Sequence, residues 1–313
     1  MQRHLFRLIV GAAVFISVAF LVRHLRNPER AWNRFQEMKL DMIQSFEILR
    51  PQTASYKFFK EENLWHVLPG EDIPLKFEVD QEQVNNTVNT IAALNIGDIV
   101  LDGKERHKEL ELDDENAVRL KVFTNSFKAV LDMYVGKRSV AFRTSYVRAA
   151  NRDEVFIAKG LVRSDINRNI AFWRSKKILQ CDINDISVIV IEQKFYTLVF
   201  AKDNEGQWYV SSGEKRTKVN KEKFANLLDQ IEVIKADGFA DEEGVTTDAL
   251  GFDKPYAGLT LTYTSGKQEQ VIVGKSSDPH YYVKNTSKDI VYLLSAYKVR
   301  RIFEREIQDF VKK

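Results

Sequence analysis

The sequence predicts an α+β fold written twice: an N-terminal transmembrane helix followed by two tandem repeats of an antiparallel-sheet-plus-helix domain. Three observations predict it. Trp65 and Trp208 each close a short strand-like run, NLWHVL and GQWYVS, and each is followed by a polar break and an amphipathic helix. Val135-Gly136-Lys137 is answered by Val273-Gly274-Lys275, Tyr146-Val147-Arg148 by Tyr282-Val283-Lys284, and Val155-Phe156-Ile157 by Val291-Tyr292-Leu293, with an offset that drifts only from 143 to 138 to 136. An offset of that length is a whole domain rather than a solenoid repeat. The chain therefore divides into a membrane anchor with basic flanks over 1–30, a juxtamembrane helix over 31–43, a diverged first repeat over 44–183 and a second repeat over 184–313.

The anchor is the uncharged run between Arg7 and Arg23, carried by Leu8, Ile9, Val10, Phe15, Ile16, Val18, Phe20, Leu21 and Val22. As a helix it rises only about 22 Å, against a hydrocarbon core of roughly 30 Å. Leu5, Phe6 and Leu25 extend it, and the flanking arginines can snorkel toward the headgroups. A cleaved signal peptide competes, but its small-x-small triplet, Ser17-Val18-Ala19, falls inside the apolar run. The arginines after the run outnumber those before it, which by the positive-inside tendency favours a cytoplasmic body. Beyond Pro28, Trp32, Phe35, Met38, Met42, Ile43 and Phe46 recur at helical spacing, to lie at the membrane or to pack on the first repeat.

In the first repeat, Tyr56–Phe59 and Leu64–Val67 flank the polar turn Lys60-Glu61-Glu62-Asn63 and read as a hairpin. In the second, Ile186–Ile191, Tyr196–Phe200 and Gln207–Val210 form a meander that turns at Asp203-Asn204-Glu205-Gly206. Val84, Val88, Ile91 and Ala92 share one face of a helix starting near Gln81, and Phe224, Leu227, Leu228, Ile231 and Ile234 share one face of a helix starting near Lys221. Asp80 and Asn220 stand at their N-caps. The period then becomes alternating, through Val118, Leu120 and Val122 in one copy and Leu259, Leu261 and Tyr263 in the other, giving paired antiparallel strands. Short basic helices near 161–170 and 296–310 end the copies, with the junction at Ile178–Ile186.

Composition excludes several classes. Of the formal charge of +3, residues 1–30 carry +4, so the rest of the chain is close to neutral and has no electrostatic footprint for nucleic acid. Cys181 stands alone, which removes intramolecular disulfides and thiolate metal clusters, and the five histidines show no metal-ligand spacing. Neither a phosphate-binding glycine motif nor a G-x-S-x-G elbow occurs, so no catalytic residue, cofactor or metal ligand is assigned. The two V-G-K tripeptides read as sharp turns. The acidic clusters Asp113-Asp114-Glu115 and Asp241-Glu242-Glu243 read as solvated loops, and Asn85-Asn86-Thr87 and Asn285-Thr286-Ser287 fit the N-glycosylation triplet.

The order Leu250-Gly251-Phe252-Asp253-Lys254-Pro255, Ile272-Val273-Gly274-Lys275, Tyr281-Tyr282-Val283 and Val291-Tyr292-Leu293 resembles the bacterial family "domain of unknown function 4340". The resemblance is close over about 185–313, with Leu250, Gly251, Asp253 and Pro255 as the family turn, and weaker over 44–180. It implies an anchored envelope protein with an extracytoplasmic body beside an ABC-2-type transporter of gliding-motility kind, and no catalytic residues. The expected function is a non-enzymatic, membrane-tethered accessory or scaffold protein of that complex. The alternative is an extracytoplasmic binding protein for a glycan, peptide or lipid, using a cleft between the repeats with Phe59, Trp65, Trp208, Tyr281 and Tyr282 as aromatic walls. Where the second copy keeps its glycine-proline turn, the first has Leu110, Leu112, Asp113, Asp114 and Glu115, the expected contact loop.

Overall fold

A computed structural model describes residues 39–70, 77–125, 127–240 and 250–311. The chain divides into two compact units, Met1–Ser175 and Lys176–Lys313, parting just ahead of the expected junction.

The first unit opens with a 3-10 turn at Leu40–Met42 and runs through β1 (Ser45–Leu49), β2 (Tyr56–Glu61), β3 (Leu64–Pro69), β4 (Phe77–Glu78), helix α1 (Gln81–Ala92) and β5 (Asn95–Leu101). The strands β6 (Val118–Phe123), β7 (Leu131–Arg138), β8 (Thr144–Ala149) and β9 (Val155–Lys159) follow, then the short helices α2 (Arg163–Ile166) and α3 (Ile170–Trp173). One antiparallel sheet results, in the order β4-β3-β2-β1-β6-β7-β8-β9-β5. The β2–β3 hairpin turns on Glu62 and Asn63, at φ 51° and 64°, the left-handed pair that suits the twist of two strands joined by a two-residue loop. Asp80 caps α1 by accepting from the N–H groups of Glu82 and Gln83. Val84, Val88 and Ile91 then lie with Phe46, Ile48, Phe58, Val67, Leu120 and Val122 in one core. Phe46 stacks on Phe58 at 4.5 Å, and Trp65 and Trp173 meet that pair edge-on at 5.6 and 5.1 Å.

The second unit comprises β10 (Lys177–Gln180), β11 (Ile186–Gln193), β12 (Thr197–Lys202), β13 (Trp208–Ser212), β14 (Lys215–Lys218), helix α4 (Lys221–Glu232), β15 (Val233–Lys235) and β16 (Gly238–Phe239). It continues with β17 (Ala257–Tyr263), β18 (Gln268–Ser277), β19 (His280–Asn285), β20 (Tyr292–Ser295), helix α5 (Ala296–Phe303) and a 3-10 turn at Ile307–Phe310. Its large sheet has the order β14-β13-β12-β11-β17-β18-β19-β20-β16, the first unit's order strand for strand. The registers agree as well: Phe46 faces Phe58 and Val122, and Ile189 faces Phe200 and Leu261. Asn220 caps α4 by accepting from the Lys223 N–H. The second unit adds a two-stranded sheet, β10 with β15, tied to β19 by the Asn285 side chain, which donates to the Ile178 carbonyl at 2.9 Å.

Several expectations are corrected. Strand, not a balance of strand and helix, dominates: each unit is built on one large antiparallel sheet, and the longest helices described have twelve residues. The expected transmembrane helix, and the single-pass inner-membrane placement with an extracytoplasmic body that depended on it, are not borne out: among the described residues no helix is long and apolar enough to cross a membrane. The anchor segment, residues 8–22, lies outside the described residues, as do 31–38 of the juxtamembrane helix; its described end is the short 3-10 turn leading into β1. The first unit's closing helix is two four-residue helices, α2 and α3, because Asn167 and Asn169 interrupt the run. Gly136 and Gly274 sit inside β7 and β18 rather than at turns.

Candidate functional site

The same device is built twice around those two glycines. A Cβ on Gly136 would stand 2.3 Å from the Leu110 carbonyl oxygen, and one on Gly274 would stand 2.3 Å from that of Leu250. Only glycine lets the loop backbone come so close. The next residue closes the contact, as Lys137 N–H donates to the Leu110 carbonyl at 3.0 Å and Lys275 N–H to the Leu250 carbonyl at 2.7 Å. Each strand has a register shift here, between Val135 and Arg138 and between Val273 and Ser276, which frees the N–H for the loop. The acidic loop of the first copy and the family turn of the second are thus structural equivalents. Glu111, at φ 55°, occupies the left-handed position that Gly251, at φ 80°, occupies in the second.

The first loop is consequently a poor contact surface at its apolar positions. Leu110 and Leu112 are buried against Val155, with Leu101, Tyr134 and Tyr146 around them, so they anchor the loop instead of presenting it. Asp113 folds back on the Glu115 N–H and the Asn116 amide, leaving Asp114 and Glu115 exposed. Arg148 pins the loop, donating from Nε to the Leu112 carbonyl at 2.7 Å while its guanidinium lies 4.0 Å over the Tyr134 ring. Arg163 pairs with Glu111 and donates to the Asn116 carbonyl. Burial, and then the Asp114 carboxylate as hydrogen-bond acceptor, push the Tyr134 hydroxyl up from its ordinary range. In the second copy Leu250 and Gly251 are buried, while Asp253 and Pro255 are exposed. Lys284, the counterpart of Arg148, stands 4.8 Å over the Phe252 ring.

The two sheets differ most on the faces turned away from their cores. In the first, Glu47 faces Lys57 on one side and Lys121 on the other, at 3.9 and 3.7 Å, and Arg119 holds Asp132 in a two-point pair. In the second, the same register positions carry Val190 between Val199 and Thr260. The next row is Val188 between Ala201 and Thr262. These side chains are partly exposed, whereas Ile189, Ile191, Leu198 and Phe200, which alternate with them, are fully buried. Strand alternation in the sequence places both valines on one face, but the outer face becomes recognisable only once the neighbouring strands are known.

The remaining candidates resolve individually. Asn285 is fully buried with its amide donating to Ile178 and Glu269, so the folded chain offers no acceptor there; Asn85 is exposed on α1, its oxygen taking the Trp65 indole N–H. Cys181 is buried beside the Ile231 carbonyl, and burial, then the Glu269 carboxylate, push its thiol up to about 11, which makes it a poor nucleophile. Of the proposed aromatic walls Trp65 belongs to the core, and Phe59, Trp208, Tyr281 and Tyr282 are half-buried. Asp241-Glu242-Glu243 lies outside the described residues. Among the described residues no three His, Cys, Asp or Glu side chains gather as metal ligands. Open grooves among the described residues include one of about 510 Å³ by Leu40, Lys60 and Val88 in the first unit and one of about 230 Å³ by Val233, Tyr297 and Ile302 in the second.

Compared with known proteins, the chain matches the family described as Domain of unknown function (DUF4340) over residues 72–255, well over half its length. The match starts in the first unit and ends in the family turn of the second, so it takes in more of the diverged copy than the 185–313 resemblance implied. No curated protein and no solved structure matches the chain.

Proposed function

The chain belongs to the DUF4340 family, and from that premise we propose that it is a non-enzymatic accessory protein that holds a partner protein against the outer sheet face of its second unit. The observation that carries this reading is the exchange at one register position: Lys57–Glu47–Lys121 in the first sheet, Val199–Val190–Thr260 in the second. An ion-paired row suits solvent, while partly exposed valines and threonines on a rigid pleat offer the mixed apolar and hydroxyl surface that interface cores use. The partner class comes from the family resemblance, a subunit of an ABC-type transport complex.

Photocrosslinking from a reactive residue placed at position 190 of the full-length chain tests it, with products identified by mass spectrometry. Crosslinks to a transporter subunit are expected, and Val199→Lys with Thr260→Lys should abolish them. Absence of any specific crosslink, or crosslinks untouched by the two lysines, would overturn the reading.

A further inference from the structure

Helix α5 presents two faces. Val299, Ile302 and Phe303 are buried, while Tyr297, Lys298 and Arg301 stand over the groove of about 230 Å³ formed with the end of α4 and with β15. Its floor is apolar, from Val233, Ile234 and Ile302, and its lining includes three cations and no carboxylate. One of the three is already used: Lys298 reaches Asp237 at 2.6 Å and the Lys235 carbonyl at 3.0 Å. The Lys235 ammonium and the Arg301 guanidinium have no carboxylate partner among the described residues. Arg301 is steadied by donating to the Tyr297 hydroxyl at 3.1 Å with its guanidinium 5.5 Å over that ring, which holds the charge at the groove's rim.

Gln230 adds a second requirement. Its amide nitrogen donates to the Asn226 carbonyl at 2.6 Å, while its side-chain oxygen is buried with no hydrogen-bond partner. A buried acceptor without a donor is an uncommon arrangement. The groove thus offers an apolar floor and two cations without a carboxylate partner among the described residues, and the Gln230 side chain that lines it carries a buried orphan acceptor. We propose that it binds an extended peptide segment of a partner protein in which a carboxylate side chain neighbours an apolar one. The apolar side chain covers Val233, Ile234 and Ile302, the carboxylate meets Lys235 and Arg301, and a backbone N–H satisfies the Gln230 oxygen once that side chain turns toward it. A fatty acid would meet the first two demands and not the third, which favours peptide. Among the described residues the first unit has no counterpart, since its closing helices are single turns and no strand there corresponds to β15. The inference rests on the accessory reading only in taking the ligand to be protein.

Fluorescence anisotropy on the full-length chain, with a dye-labelled peptide alternating leucine and glutamate, tests the site. Saturable binding is expected, weakened roughly ten-fold or more by Lys235→Glu with Arg301→Glu, both exposed positions where reversal leaves the circular dichroism unchanged. Reversal of two exposed cations on β14, Lys215→Glu with Arg216→Glu, should weaken it less than about two-fold, as local contact rather than general charge attraction requires. A twin peptide with lysine for glutamate should not bind. No saturable binding, an equal loss from the β14 pair, or equal binding of the lysine twin would each overturn the proposal. Val190→Glu should leave this binding unchanged, so failure here and failure of the crosslinking test are separable.

Discussion

The two units share strand order, register and the glycine contact that locks a loop onto a strand, and they differ in what surrounds that common frame. The first copy holds its loop with charge, through Arg148, Arg163 and Glu111, and covers its outer face with ion pairs. The second holds its loop with the backbone freedom of Gly251 and leaves valines and threonines outside. A duplicated domain therefore keeps what the backbone cannot do without, and varies side chains where either solvent or a partner can receive them.

The largest expected effect tests the shared part. Gly136→Ala and Gly274→Ala each force a methyl into a backbone carbonyl, and each should cost on the order of 3 kcal/mol or more, read as a fall in the urea midpoint of the affected unit. If only one variant suffers, the equivalence of the two contacts is broken. A smaller effect should separate the copies. Arg148→Met leaves the Leu112 carbonyl unpaired in a buried place and should cost about 2 kcal/mol, whereas Lys284→Met removes only a cation over Phe252 and should cost about 0.5 kcal/mol.

The smallest effect is a dependence on alkaline pH. In the second unit burial and the Glu269 carboxylate push up Cys181 and Tyr263, the Glu304 carboxylate and burial push up Tyr256, and burial and the Glu306 carboxylate push up Tyr196; among the described thiols and phenols of the first unit Tyr134 alone is raised. A proton-binding group whose folded value is raised stabilises fully below its unfolded value, about 8.5 for a thiol and about 10 for a phenol, and loses that contribution as pH climbs through the folded value. The thiol's window therefore closes at about 11. The second unit should lose more stability than the first between about pH 8.5 and about 11, and Cys181→Ala with Tyr263→Phe should flatten the slope. Equal slopes in both units would remove this distinction.

Much of the frame was legible in the sequence. Asp80 and Asn220 announced both long helices because capping needs a specific side chain at one position, and the tryptophan-bearing meander was legible through alternation. The placement of β5 and β16 at the far edge of each sheet was not, since pairing with β9 and β20 joins segments far apart in the chain. The burial of Leu110 and Leu112 was not legible, because carboxylates dominate the composition of the Leu110–Glu115 loop and the chain turns at Glu111 instead of alternating as a strand would. The outer faces escaped because Glu47 and Val190 look alike in importance until their neighbours are known. Val-Gly-Lys offered a signal in its repetition, but the reason for the glycine is a carbonyl oxygen more than twenty residues upstream.

The contrast between the two outer faces also bears on how the chain avoids folding wrongly. Two sheets of one order and one register on a single polypeptide invite a strand of one copy to insert into the other, and the core side would accept the exchange, because Phe46 and Ile189 are both apolar. The outer side refuses it. If β1 took the place of β11, Glu47 would lie between Val199 and Thr260 with neither lysine near; in the converse exchange Val190 would leave Lys57 and Lys121 facing each other across an apolar strand. The divergence thus serves as an address on each strand, sorting two nearly interchangeable sets of pieces while the chain is still assembling.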